Sequence, residues 1–97
     1  MILHEPGFMI KGGTFQFNCT VEDSSEPVQS FNWYHNGSLI NHQRNWRFST
    51  SLNDWPWSQI LEVTSAIRED GGEYYCEAVF ADMNETSNRH IVQIKGD

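Results

Sequence analysis

Asp70-Gly71-Gly72-Glu73-Tyr74-Tyr75-Cys76 is the stretch that decides the fold, read together with Cys19 and Trp33 upstream of it. The two cysteines are 57 positions apart. Tyr74 stands two residues before Cys76, and Asp70 six before it. Around Cys19 the chain alternates: Phe15, Phe17, Cys19 and Val21 point one way, and Thr14, Gln16, Asn18 and Thr20 the other. A period of two is the mark of a half-buried strand. The same parity sets Phe31, Trp33 and His35 inward and Asn32 and Tyr34 outward. Asn36-Gly37 then suits a type I′ hairpin turn, whose two central positions both need positive φ. Ser38-Leu39-Ile40 returns from that turn, and Gly12-Gly13 turns the chain from a short opening strand around Phe8-Met9-Ile10. Further strands are expected over residues 44–49, up to about Val63, from Asp70 onward, and over about 89–95 with Val92 and Ile94 inward.

This constellation resembles the immunoglobulin superfamily over nearly the whole chain. The resemblance implies an all-β fold: one immunoglobulin-like β-sandwich of two antiparallel sheets, with seven to nine strands, spanning residues 1–97. It implies an inter-sheet disulfide between Cys19 and Cys76, with the Trp33 indole packed on it and Tyr74 forming a tyrosine corner. The spacing of Leu61, Val63, Ala66, Asp70, Gly72, Tyr74 and Cys76 follows the family pattern, with Ala66 at the sandwich base. The gap between the cysteines leaves room for strands C′ and D but little for a long C″, which suits an I-set or C2-like domain. Arg47-Phe48-Ser49 instead resembles the strand-D opening of variable domains. That likeness implies an Arg47–Asp70 salt bridge, the alternative being a solvated surface arginine. Trp33-Tyr34-His35-Asn36-Gly37 and Asp70-Gly71-Gly72-Glu73-Tyr74 are also similar to stretches of leukocyte Fc receptors, receptor kinases and the interleukin-1 receptor family.

A chain of 97 residues buries only about 60–65% of its unfolded surface, so a covalent cross-link of this span, worth about 4 kcal/mol, matters. An oxidising compartment is expected from the paired cysteines. The alternative is two reduced core thiols, as in intracellular muscle immunoglobulin domains. Thirteen acidic against six basic residues leave a formal charge of −7. The basic residues are scattered, so no phosphate-tracking groove assembles and nucleic acid is not an expected partner. No apolar run is long enough to span a bilayer, so any membrane link would come through an anchor elsewhere in a parent chain. Met1-Ile2-Leu3-His4-Glu5-Pro6 lacks the pattern of a signal peptide. An extracellular chain would then be a segment of a longer precursor.

No catalytic, cofactor or metal site is expected. His4, His35, His42 and His90 fall on different elements without ligand spacing, and no serine lies in a nucleophile elbow. Three Asn-X-Ser/Thr sequons make Asn18, Asn36 and Asn84 candidate glycosylation sites, with Asn36 in a turn and Asn84 expected in the F–G loop. Two surfaces are candidates for binding a protein. Trp55, Trp57, Phe80 and Met83 would form an apolar tip at one end, unless rings fold down to plug the sandwich. Tyr34, Tyr75, Val79 and Ile91 project by alternation from the outer face of the G-F-C-C′ sheet, with Asn32, Glu77 and Arg89 around them.

The family implies a non-catalytic extracellular recognition domain of a cell-surface receptor or adhesion protein, in tandem with neighbouring domains. Its partner would be another protein: a ligand, a receptor or a homophilic copy. A secreted ligand-binding immunoglobulin protein and an intracellular structural module of muscle type are the alternatives.

Overall fold

Nine strands and one short 3₁₀ turn carry the chain in a computed structural model that describes residues 2–4, 9–22, 26–41, 47–52 and 57–96. They are β1 (Ile2–His4), β2 (Phe15–Thr20), β3 (Ser30–His35), β4 (Ser38–Leu39), β5 (Phe48–Leu52), β6 (Ser58–Val63), β7 (Gly72–Val79), β8 (Asn84–Thr86) and β9 (His90–Val92). One sheet runs β1-β2-β6-β5. The other runs β4-β3-β7, with β8 and β9 sharing the far edge of β7. In immunoglobulin terms these are the A-B-E-D and C′-C-F-G sheets, and the molecule is an immunoglobulin-like sandwich.

Register explains the core. Phe15 pairs with Val63 and Phe17 with Leu61 in one sheet, while Trp33 pairs with Cys76 and His35 with Tyr74 in the other. Side chains at directly paired positions share a face, so alternation turns these residues into the space between the sheets, where all but His35 are buried. The Cys19–Cys76 disulfide bridges that space with a Cα–Cα distance of 6.5 Å. Beside it the Trp33 indole Nε1–H donates to Gln59 Oε1 across the sheets at 2.8 Å, which satisfies the one polar atom of a large buried ring. Aromatic rings fill the layer in series. Phe15 meets Phe17 edge-on at 5.6 Å, Phe17 stacks on Tyr74 at 4.6 Å, and Tyr74 stacks on His35 at 4.5 Å.

The base of the sandwich is closed by polar groups that find one another. The Tyr74 hydroxyl donates to the Asp70 carbonyl at 2.5 Å, making the tyrosine corner. The buried Asp70 carboxylate accepts the Ile67 N–H at 2.8 Å and both guanidinium arms of Arg47, Nη2 to Oδ1 at 3.1 Å. Ala66, buried, is held to the β1–β2 turn by Gly12 N–H to Ala66 O at 2.7 Å and Ala66 N–H to Gly13 O at 2.9 Å. Asn36 and Gly37 take φ of 52° and 83°, as a type I′ turn demands.

Three elements differ from the expectation. The strand at residues 44–49 is displaced: β5 begins at Phe48 and runs to Leu52, because β6 offers pairing partners from Val63 back to Gln59. Residues 44–46 and Phe8 lie outside the described residues. The last strand is broken in two. β8 pairs with residues 77–79 and β9 with 72–74, in registers that differ by one residue, which makes a β-bulge between them. At the bulge Ser87 N–H donates to Cys76 O at 2.9 Å, and Ser87 Oγ accepts the Cys76 N–H at 3.0 Å. Asn84 therefore starts β8 and is not a loop residue. Finally, the opening segment changes sheets: β1 lies on β2, while Ile10 forms a parallel bridge with Lys95 beyond β9.

Candidate recognition face

The outer surface of the second sheet gathers side chains from its five strands, β4, β3, β7, β8 and β9, into rows. The type I′ turn makes a two-residue hairpin, so Leu39 lies opposite Tyr34, and Tyr34 in turn lies opposite Tyr75. One row over, Glu73 pairs with Ile91; on the other side Asn32 pairs with Glu77, and Val79 with Asn84. The Tyr34 and Tyr75 rings stack at 4.8 Å with planes 11° apart. The Arg89 guanidinium carbon lies 4.6 Å from the Tyr75 ring centroid, a cation–π arrangement, and its Nη1 is 3.4 Å from Glu73 Oε1.

Glu77 is the polar hub of the face. Its Oε1 accepts from Asn32 Nδ2 at 3.1 Å and from the Tyr34 hydroxyl at 3.2 Å, and its Oε2 accepts from Asn84 Nδ2 at 3.4 Å. Partial desolvation first, and the Glu77 charge second, raise the Tyr34 phenol above its ordinary value of 10.0. Tyr34 therefore stays a neutral donor at physiological pH. Around this polar centre stand apolar groups open to solvent: Ile91 is 77% exposed and Leu39 59%, while Val79 is half-buried. Aromatic surface with a polar tip, bordered by aliphatics, is the composition of protein-contact patches. Leu39 was not singled out from sequence, although the two-residue turn contained the signal that places it opposite Tyr34.

The other candidate surface is not assembled as expected. Phe80 is only 7% exposed and belongs to the buried core cluster, as Val21 and Val28 do. A tight turn, with Phe80 N–H donating to Met83 O at 2.8 Å, leaves Met83 outside at 56% exposure. Trp57 is half-buried and Trp55 lies outside the described residues. Phe80 is thus a core residue, and an apolar tip that includes it does not form.

The sequon asparagines occupy three settings. Asn18 is half-buried in the middle of β2, with the Thr20 hydroxyl 3.5 Å from its Oδ1. Asn36 is exposed, but its Oδ1 accepts the Glu73 N–H at 2.9 Å. Asn84 is exposed at the start of β8. His35 Nε2 lies 2.8 Å from Gly71 O, a structural role for that ring. Among the described residues no three His, Cys, Asp or Glu side chains gather as a metal site, and no helix is long and apolar enough to cross a membrane. A shallow recess lined by His35, Ser38, Leu39, Ile40, Asn41 and Phe48 lies between the edges of β4 and β5.

Comparison with known proteins accords with this architecture. The peroxidasin homolog pxn-1 of Caenorhabditis elegans is 33% identical over 69 residues, 71% of this chain and 5% of that protein. Titin of Drosophila melanogaster is 33% identical over 67 residues, 69% of this chain and, after rounding, 0% of its own length. The tyrosine-protein kinase receptor TYRO3 of Rattus norvegicus is 26% identical over 86 residues, 89% of this chain and 9% of the receptor. The chain thus spans less than a tenth of the length of these relatives. The family model described as immunoglobulin domain matches residues 2–79, which include both cysteines, Trp33 and the tyrosine corner. With that match, the inter-sheet disulfide and the A-B-E-D and C′-C-F-G sheets, the chain belongs to the immunoglobulin domain family.

Proposed function

We propose that this domain is a non-catalytic, extracellular protein-recognition unit of a larger receptor or adhesion protein, and that it binds through the outer face of its C′-C-F-G sheet. The observation that carries the reading is the row Arg89–Tyr75–Tyr34, stacked in order and bordered by the open side chains of Leu39 and Ile91. Ordered aromatic rings offer contact area at little entropic cost, because their rotamers are already restricted. Two receptor kinases among the relatives, TYRO3 and the myoblast growth factor receptor egl-15, support a surface-receptor setting. Tandem neighbours on the parent chain fit the small share of each relative that is matched. Asn18, Asn36 and Asn84 are proposed glycan attachment sites, and a glycan on Asn18 would cover the opposite sheet. Trp57 and Met83 form a secondary contact candidate at the sandwich end.

The test is a binding screen of the secreted, tagged domain against purified extracellular proteins, followed by Tyr34→Ala and Tyr75→Ala in the best pair. Loss of affinity with an unchanged melting temperature supports the face; unchanged affinity discards it. The similarity to titin favours a second reading, an intracellular structural module with reduced cysteines. Thiol titration of protein purified from its native source separates the two, since a receptor domain shows no free thiol. A secreted signalling protein differs from a receptor only in its flanking sequence.

A further inference from the structure

The outer face contains one complete cation site and one incomplete copy of it. In the complete site, Arg89 lies on the Tyr75 ring with the Glu73 carboxylate beside it. Tyr34 and Glu77 repeat the ring and the carboxylate on the neighbouring strand pair: Tyr34 faces Tyr75 across the register, and its hydroxyl donates to Glu77. What they lack is the cation. Glu77 is held by three neutral donors, Asn32, Tyr34 and Asn84, and no cation among the described residues pairs with it. The strand order puts Arg89 and Tyr34 on opposite sides of Tyr75, so the second side of the Tyr34 ring turns toward β4 and the exposed Leu39.

We propose that Tyr34 and Glu77 form a subsite for a cationic side chain, an arginine or lysine, presented by the partner protein. The incoming group lies over the phenol end of Tyr34, directs its N–H groups to Glu77, and rests its aliphatic stem on Leu39. This rests on the outer face being the contact surface. Charge selects the occupant: the chain carries −7, so a basic partner is drawn in and a second copy is repelled. Arginine fits best, because its planar group stacks on a ring while bonding a carboxylate in the same plane.

The subsite is tested by titrating the ¹⁵N-labelled domain with the peptide Ac-Gly-Arg-Gly-NH₂, with the isosteric neutral citrulline peptide as control. Saturable shifts should centre on Asn32, Tyr34 and Glu77 with the arginine peptide and be absent with citrulline. Glu77→Gln, which keeps a carbonyl oxygen for Asn32 and Tyr34 and gives up the acceptor of Asn84, and Tyr34→Leu should each weaken the arginine peptide by about three- to fivefold, the scale of an exposed cation–π contact. A Glu77→Gln titration identical to the wild type, shifts spread over all acidic surface, or self-association of the free domain in sedimentation would each overturn the proposal. Its failure is distinguishable from failure of the face. If Leu39→Asp and Ile91→Asp abolish binding in the protein screen while Glu77→Gln does not, the face stands and the cation subsite falls.

Discussion

Ser87 caps the amide of Cys76: its hydroxyl oxygen accepts the Cys76 N–H at 3.0 Å, while its own N–H donates to the Cys76 carbonyl at 2.9 Å. The bulge that separates β8 from β9 would otherwise leave the amide of a fully buried disulfide cysteine without an acceptor. The Ser87 hydroxyl then donates onward to Asn88 O at 2.8 Å, fixing the start of the segment that delivers Arg89 to Tyr75.

Ser87→Ala should therefore cost about 1–3 kcal/mol, the range for a buried donor left unpaired. Urea unfolding reads the loss as a lower midpoint at unchanged slope. The near-ultraviolet signal of the stacked tyrosines should weaken as Arg89 loosens. A midpoint equal to that of the wild type would show that the bulge finds another acceptor.

Arg47→Ala strands the Asp70 carboxylate, whose side chain is 4% exposed, with the Ile67 N–H as its one remaining partner among the described residues. Breaking one side of a pair this buried costs about 3–5 kcal/mol. Arg47→Lys should recover only part of that, because a single ammonium cannot reproduce the two-armed contact. Chemical denaturation of the three proteins provides the ranking, and equal stabilities of wild type and Arg47→Ala would remove the pair from the account of the fold.

Gly72 is a position where a methyl group would collide with the Asn36 side chain. A Cβ there would stand 2.3 Å from Asn36 Oδ1, and the backbone holds φ at +131°. Gly72→Ala should destabilise by about 1–3 kcal/mol, from strain and displacement of the Asn36 side chain. Asn36→Ala relieves the collision and forfeits the bond to the Glu73 amide, so the double variant should lose less than the two single losses added together. Additive losses would mean that the two residues do not contact.

Alkaline pH should unfold the domain. Burial first, and the nearby Asp70 charge second, raise the Tyr74 phenol well above its ordinary 10.0. Tyr34 is shifted in the same direction. The folded state therefore keeps protons that the unfolded chain releases, so this contribution is complete below about pH 10 and is lost as pH rises further. Urea midpoints should be level to about pH 9 and fall beyond about pH 10. Tyr74→Phe, though less stable for want of the bond to Asp70 O, should show a flatter alkaline decline. An equally steep decline in that variant would assign the effect elsewhere.

Short-range physics settled much of this molecule in the sequence itself. Alternation placed Phe15, Phe17, Cys19, Trp33, Tyr74 and Cys76 between the sheets and Tyr34, Tyr75 and Ile91 outside them, because successive side chains of a strand must point to opposite faces. Asn36-Gly37 specified its turn, because few residue pairs tolerate two positive φ values in succession. Tertiary structure decided the rest. A bulge at Ser87 is a property of pairing between β7 and its partners, and a registry shift leaves no periodic mark on one strand. Burial of Phe80 depended on a turn closing at Met83, which composition does not encode. The contact of Arg89 with Tyr75 required the bulge that carries it there. Parity along a strand is local and therefore legible; which strand stands beside which, and in what register, is set by long-range pairing and appears only when the sheets assemble.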